Sequence, residues 1–450
     1  MMKEITLREI AAACNGDFLG NSKDLNNTIE NVTIDSRQAA KGTLFVAIKG
    51  ERTDGHRYIE KAFEQGAVCA LSEQVISSEK PIILVRSTTQ AIKDIAEYYR
   101  SLFENIEVVG ITGSVGKTST KEVIASVLEQ NFVVHKTKGN FNNELGVPLT
   151  LLAMPEDTEI AVVEMGISGF GEMRRLSKMA RPTVCVFTNI GNCHLENLKD
   201  RDGVFKAKTE MLEYKEDDSF IVVNGDDDKL AALSEADFRF GLNSGNDFYA
   251  ENISAYGENG VSFTMCYEGK KVDAFINAIG SYMVTNALAA AAVGRAMNMK
   301  DEDIVKGIAS YKTVGSRASV ITTDSFKIID DCYNANPASM KAAIDSLTSM
   351  NGERKVAVLG DMKELGDKEI MLHGEVGFYI NDHCVDVLIT IGKLAKTIGE
   401  CASSVEVHHF DTLEQALEEI DTILHKNDTI LVKASHSMHF EKITEYLKSL

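Results

Sequence analysis

Gly110-Ile111-Thr112-Gly113-Ser114-Val115-Gly116-Lys117-Thr118-Ser119 is fed by the apolar run Ile106 to Ile111 and followed by the helix-forming run Lys121 to Gln130. A strand, a glycine-rich turn and a helix start, in that order, make an anion cradle. The glycines let the backbone wrap closely, and the N–H groups of the first helical turn point at the bound group. Lys117 supplies a mobile positive charge, and Thr118 a hydroxyl placed to hold Mg²⁺. Gly113, Ser114, Gly116 and Ser119 complete the loop. The spacing departs from the usual G-x-x-x-x-G-K-[ST], because Ile111 stands five residues before Gly116 and the nearest glycines are Gly110 and Gly113. The stretch therefore reads as a variant phosphate loop, and the chain as a nucleotide binder.

Around this loop the chain has ordinary globular composition: 450 residues, 44% hydrophobic and 25% charged. At roughly 150 residues per domain, that length predicts about three domains. Its 47 Lys and Arg against 67 Asp and Glu leave a net charge of −20, which opposes a broad footprint for nucleic acid or an acidic membrane surface. Eight cysteines occur without a C-x-x-C pair, so neither a zinc knuckle nor a disulfide framework is expected. No stretch approaches the roughly 18 apolar residues of a membrane helix, and Met1 to Thr6 lacks the apolar core of a signal peptide. The expectation is a soluble cytoplasmic protein with no nucleic-acid partner and no membrane insertion.

The fold class expected is α/β in three domains. Residues 1–86 alternate short strands and helices and predict a small N-terminal α/β domain. Its polar turns Asp35-Ser36-Arg37 and Lys49 to His56 look like solvated loops when taken alone. Residues 87–313 alternate apolar strands (Ile106 to Ile111, Phe132 to Val134, Ile160 to Met165, Val184 to Asn189) with helical patterns. This predicts a central, mostly parallel P-loop-type ATPase sheet with covered faces, followed by strands over 219–276 and an alanine-rich helix from Thr285 to Met297. Residues 314–450 repeat the alternation and predict a Rossmann-like doubly wound domain. That domain lacks G-x-G-x-x-G after its first strand, which argues against a dinucleotide cofactor.

Ligands of parallel sheets bind at the carboxyl ends of strands, and Glu164 and the turn Asn189 to His194 fall at such ends beside the phosphate loop. Phosphoryl transfer needs charge neutralisation at the β and γ oxygens, for which a carboxylate ligand such as Glu164 is suited. A strand-end carboxylate or a single histidine is often only structural. The lysines of Phe205 to Leu212 read by default as a solvated helix face. A lysine deprived of water near other cations can instead lose its proton, react with CO₂ and become a carbamate, an anionic oxygen ligand.

Taken together, the chain resembles the Mur ligase family of ATP-dependent amide-forming enzymes over essentially its whole length. The resemblance rests on Asp35-Ser36-Arg37, Gly42 to Ala47 and Gly55-His56; on Thr112 to Thr118; and on Gly139-Asn140-Phe141-Asn142-Asn143-Glu144-Leu145-Gly146. It rests further on Glu164-Met165-Gly166, Asn189 to His194, Lys208, Asn286, Asp331 to Pro337 and Leu359 to Gly366. It implies that ATP phosphorylates a carboxylate on UDP-N-acetylmuramoyl-tripeptide and that the amine of D-alanyl-D-alanine attacks the acyl phosphate.

Carried over by residue, the resemblance implies Lys117 on the β and γ phosphates and Thr118 with Glu164 on one Mg²⁺. A second Mg²⁺ would sit on His194 and a carbamylated Lys208, and Asn286, Arg317, Asp331 and Tyr333 would line the nucleotide. Ser36, Arg37, Asp54, Gly55, His56, Asn140, Asn143, Asn334, Asn336, Lys433 and Ser435 would serve the substrates, with a monomer as the working unit. Two departures stand out: Tyr282-Met283 where His-Asn is common, and Lys433-Ala434-Ser435-His436 where Lys-Gly-Ser-Arg is common. The second exchanges a permanent cation for one mostly neutral at pH 7. Another amine substrate, or a non-catalytic nucleotide-binding regulator, is the alternative reading these departures leave open.

Overall fold

The computed structural model describes residues 1–51 and 53–450; Arg52 of the polar loop lies outside the described residues. The strands form three sheets. The first contains β1 (Asp17–Leu19), β2 (Asn31–Thr33), β3 (Thr43–Val46), β4 (Cys69–Ser72) and β5 (Ile82–Leu84) in the order β1-β5-β4-β3-β2, parallel except for β1. From it the chain enters α1 (Thr88–Ser101), started by the Ser87 side chain accepting from the Gln90 N–H. The apolar face of α1 buries Ala91, Ile92, Ile95, Ala96 and Tyr99 in one core with both the first and the second sheet. The Tyr99 hydroxyl donates to the Met154 carbonyl at 2.7 Å, which fastens that face to the second sheet's unit.

The second sheet contains β6 (Glu107–Thr112), β7 (Val134–Lys136), β8 (Ile160–Glu164), β9 (Val184–Phe187), β10 (Phe220–Asn224), β11 (Phe238–Phe240), β12 (Phe248–Ala255), β13 (Val261–Tyr267) and β14 (Lys270–Ile276). Their order is β14-β13-β12-β11-β10-β9-β6-β8-β7, with only the β12-β13-β14 meander antiparallel. β8 and β9 are buried throughout, as apolar strands covered on both faces must be. Along this unit run α2 (Lys117–Leu128), α3 (Arg201–Thr209) and α4 (Tyr282–Ala296). α4 is apolar on nearly every side and buried accordingly, packing against α2.

The third sheet contains β15 (Ser319–Thr322), β16 (Lys327–Asp330), β17 (Lys355–Gly360), β18 (Val387–Ile391), β19 (Glu406–Phe410) and β20 (Thr429–Lys433) in the order β15-β16-β20-β17-β18-β19, parallel except for β15. α5 (Pro337–Ser349) and α6 (Ala395–Cys401) belong to this unit. The α/β class expected from the alternation is what folds. The differences are local: the strand expected at Phe132 to Val134 starts at Val134, and the edge strands β1, β15 and β19 are additions. Each of these three is only partly buried, so none carries the continuous apolar run by which the inner strands are recognised.

Candidate functional site

β6 lies between β8 and β9, and Ile111 pairs with both Glu164 and Val186. The carboxyl ends of three adjacent parallel strands are therefore level, where an open α/β sheet takes its ligand. The phosphate loop leaves β6 there. A Cβ on Gly113 would lie 1.8 Å from the Thr188 hydroxyl oxygen, so only glycine lets the β6 and β9 exits approach this closely. Thr188 uses that hydroxyl to donate to the Val115 carbonyl at 2.6 Å. α2 then follows Gly116, which has φ +81° and provides no side-chain cap. Gly116, Lys117, Thr118 and Ser119 line a cavity of about 570 Å³, and an uncapped helix start presents N–H donors and a positive dipole end to it.

The two amides before them behave otherwise: Ser114 and Val115 donate to Asn189 Oδ1 at 3.1 and 2.9 Å. Asn189 thus braces the loop from β9. The Lys117 ammonium folds back to the Gly113 carbonyl at 2.8 Å. Burial pushes Lys117 below the usual lysine range, and the charge of Glu164 opposes that shift.

Glu164, the last residue of β8, is 1% exposed. Its Oε2 accepts from the Thr118 hydroxyl at 2.8 Å and its Oε1 from Asn142 Nδ2 at 2.8 Å. Lys121 Nζ stands 3.9 Å from Oε2 and donates to the Thr137 carbonyl at 2.7 Å. The carboxylate is thereby fixed beside the hydroxyl it was expected to join. Sequence reasoning missed Asn142 as a partner, although it sits between the two chosen residues Asn140 and Asn143. Asn143 lines the cavity and accepts from the Leu145 and Gly146 amides, whereas Asn140 is exposed and outside the lining.

Lys208 on α3 does not lie in solvent: it is 1% exposed, while Lys206 of the same helix is exposed. The helix turns one lysine inward and one outward. Lys208 meets no carboxylate or carbonyl partner among the described residues, and burial pushes its amine down to about 8, with Lys117 adding to the shift and Cys193 opposing it. His194 lines the cavity at φ +51°. Its Nδ1 lies 2.6 Å from Oε2 of Glu364, which arrives from the third sheet's unit, and that contact holds the Glu364 carboxyl below its usual range.

The donor set suits Mg²⁺, a hard cation that takes one or two protein oxygens and completes its octahedron with phosphate and water. Thr118 and Glu164 offer such oxygens side by side. Among the described residues no three His, Cys, Asp or Glu side chains gather to hold an ion unaided. Lys208, a buried amine with nothing to neutralise it, is the chemistry carbamate formation requires.

The opposite wall comes from the third unit. The Arg317 guanidinium lies 3.8 Å from the Tyr333 ring centroid, a cation–π stack, and the exposed His436 ring is 5.6 Å from the same ring. Lys433, 2% exposed, donates to Asp331 Oδ2 at 2.6 Å and to the Asn334 carbonyl at 2.9 Å. Asn336 caps α5 by accepting from the Ser339 amide at 2.9 Å. Between the walls, Asn286 on α4 accepts from the Thr120 hydroxyl at 3.0 Å and donates to the Met283 sulfur at 3.3 Å. Tyr282 also lines the cavity, and burial raises its hydroxyl above the ordinary tyrosine value. Its ring requires Gly280, where a Cβ would lie 2.5 Å from it.

Lys208 and the remaining residues lie outside this lining. Ser435 is buried and accepts from the Lys363 amide. In the first unit Ser36 is buried and Arg37 is exposed and paired with Asp35. His56 follows Gly55, is buried, and has Nδ1 2.6 Å from Asp54 Oδ1, while Nε2 accepts from the Glu73 amide at 2.9 Å. That pair fixes the loop to the start of α1, because Glu73 in turn accepts from the Thr88 amide.

A variant phosphate loop at the middle of a parallel sheet, with a second α/β unit across the crevice, defines a phosphate-loop α/β protein whose nucleotide cleft is closed by another domain-sized body. Family models agree along the chain: "Mur ligase family, catalytic domain" matches residues 28–112, "Mur ligase middle domain" 111–294 and "Mur ligase, glutamate ligase domain" 316–436. The chain belongs to the Mur ligase family. It is 39% identical to the UDP-N-acetylmuramoyl-tripeptide–D-alanyl-D-alanine ligase of Bacillus subtilis (strain 168), over 98% of both chains. It is 32% identical to the ligase of that name from Escherichia coli (strain K12), over 99% of both. Among solved structures, MurF from Acinetobacter baumannii superposes with a TM-score of 0.91 at 31% identity, over 100% of both chains. The MurF ligase of Thermotoga maritima in complex with ADP gives 0.83 at 30%, over 93% of this chain and 97% of that one.

Proposed function

We propose that this chain joins D-alanyl-D-alanine to UDP-N-acetylmuramoyl-tripeptide at the expense of ATP, giving the UDP-linked pentapeptide used to build peptidoglycan. The observation that carries the reading is that the phosphate loop, Glu164 and His194 share one cavity with Arg317, Asp331, Tyr333 and Lys433. Full-length relatives named for this reaction support it.

In this reading residues 1–86 hold the UDP end through Ser36, Arg37, Asp54, Gly55 and His56. Residues 87–313 hold ATP, and residues 314–450 bring the amine. Lys117 and the first-turn amides of α2 hold the phosphates, while Asn286, Arg317, Asp331 and Tyr333 hold the nucleoside. Asn140 and Asn143 serve the acceptor, and Asn334, Asn336, Lys433 and Ser435 the amine substrate. Thr118 and Glu164 would hold one Mg²⁺, and His194 with carbamylated Lys208 a second. When bound, these ions screen the repulsion between a carboxylate and ATP. The carboxylate oxygen attacks the γ phosphorus and ADP leaves; the amine nitrogen then attacks the acyl carbon and phosphate leaves with that oxygen. Holding the acyl phosphate and amine in one closed cleft can supply an effective molarity up to about 10⁵ to 10⁸ M. The protein works as a cytoplasmic monomer in this account; no helix among the described residues is long and apolar enough to cross a membrane.

The test is phosphate release from Mg²⁺-ATP with UDP-N-acetylmuramoyl-tripeptide, with and without D-alanyl-D-alanine, and the mass of the UDP-linked product. Release that requires both substrates, with a product heavier by one dipeptide less one water, is expected. ATP turnover indifferent to either substrate contradicts the proposal. Product formed only with another amine would place the change at His436.

A further inference from the structure

Two residues with left-handed backbone meet across the cleft. His194 has φ +51° and Glu364 φ +64°, values that residues bearing a Cβ seldom adopt and that persist only where the surroundings impose them. The surroundings are visible on the Glu364 side. Asp361, 4% exposed, accepts from the Leu394 and Ala395 amides at the start of α6 at 3.0 and 2.8 Å. Two residues from it, the Lys363 amide is held by the Ser435 hydroxyl at 2.9 Å. The fully buried His373 accepts from the Met362 amide at 2.9 Å. The loop is thus pinned at the three residues that lead into Glu364, and just beyond it Gly366 approaches the backbone of Glu196 in the turn after His194. From this loop Glu364 Oε2 stands 2.6 Å from His194 Nδ1.

We propose that Glu364 is a positioning residue: its carboxylate accepts the hydrogen bond from the Nδ1–H of His194, fixing the ring and its tautomer so that Nε2 keeps the free lone pair a cation needs. A ligating imidazole must be neutral at the nitrogen it offers, and a carboxylate on the other ring nitrogen is the arrangement that orients it and raises its basicity. Glu364 belongs to the third unit and His194 to the second. The His194 ligand of the second metal is therefore held in its ligating orientation only when the third unit is seated across the cleft. Seating of the amine-bearing unit and readiness of the phosphate site become one event. The proposal rests on His194 being a metal ligand, as in the function proposed above.

The test is Mn²⁺ binding in the presence of ADP, read from the electron paramagnetic resonance signal of free Mn²⁺, in the full-length protein and its variants. E364A is expected to raise the Mn²⁺ Kd of the affected site by about 10-fold or more, with the Kd for ADP without metal unchanged. E364Q, whose amide oxygen can still accept the Nδ1 proton, is expected to remain within about threefold of the natural protein by the same logic. If E364A does not fold, E364D withdraws the carboxylate by one methylene and is expected to weaken Mn²⁺ binding in the same direction. A Mn²⁺ Kd within about twofold of the natural protein in the folded E364A or E364D chain overturns the proposal. H194A separates the two levels: if it leaves Mn²⁺ binding unchanged, the ligand role of His194 fails. If H194A weakens binding and the Glu364 variants do not, only the positioning role fails.

Discussion

Lys121 and Lys208 are each 1% exposed, and both lie on helices of the second sheet's unit. Their surroundings are opposite. Lys121 donates to the Thr137 carbonyl at 2.7 Å and pairs with Glu122 at 2.9 Å, with Glu164 at 3.9 Å. Lys208 has no such partner among the described residues, and burial pushes its amine down to about 8. A buried cation costs folding free energy unless it is paired and hydrogen-bonded. Lys121 meets that cost locally and reads as a brace for Glu164. Lys208 leaves it unmet, which is the mark of a group whose partner arrives with ligand, modification or both.

The largest expected effect separates the two. Lys208→Met should lower ligase turnover by about 10²-fold or more, the scale of losing one preorganised electrostatic stabiliser. It should also raise the melting temperature of the ligand-free protein, because an unpartnered charge leaves the interior. A short carboxylate such as formate should restore part of the activity of Lys208→Ala. Full activity of Lys208→Ala in bicarbonate-free buffer would remove the carbamate from the account. Lys121→Met should do the reverse in stability and lose about 3 kcal/mol, because it strands buried carboxylate and carbonyl groups. Thermal or denaturant unfolding of both variants beside the natural protein reads the two signs.

A smaller effect sharpens the comparison at the phosphate loop. Gly113→Ala sets a methyl 1.8 Å from the Thr188 oxygen, so the β6 and β9 exits must part. Nucleotide affinity should fall, with a stability loss of about 1–3 kcal/mol typical of overpacking. Calorimetric titration with ADP and unfolding curves check this.

The smallest effect concerns pH. Burial lowers the His373 pKa from 6.5. The unfolded chain therefore binds this proton at a higher pH than the folded chain. Stability should fall as pH drops below 6.5, and the loss continues until the folded value is reached. His373→Leu should start less stable, because the Met362 amide loses its acceptor, and should show a shallower decline between pH 6.5 and 5. An equal decline in both proteins would assign the acid sensitivity elsewhere.

What could be read in advance follows from what is local. The phosphate loop, the strands ending at Glu164 and Phe187 and the alternation of strand and helix are signals carried by consecutive residues. The burial of Lys208 is not, because α3 offers lysines at 206 and 208 and only the packing decides which turns inward. Asn189 bracing the Ser114 and Val115 amides, Asn142 on Glu164 and Glu364 on His194 join residues 22 to 170 positions apart, and no periodicity encodes them. The edge strands β1, β15 and β19 escaped notice for a related reason, since partial exposure removes the apolar run that marks an inner strand. The first unit's Asp54 and His56 show the converse, being tied to each other and to Glu73 rather than brought to the central cavity.

The central claim is that a carboxylate is activated as an acyl phosphate between the second and third units and then trapped by an amine. It is tested most directly by labelling both oxygens of the tripeptide's terminal carboxylate with ¹⁸O and running the complete reaction with Mg²⁺-ATP and D-alanyl-D-alanine. The account predicts one ¹⁸O atom in the inorganic phosphate released and one retained in the new amide carbonyl. Phosphate free of ¹⁸O, with the pentapeptide still formed, would contradict it.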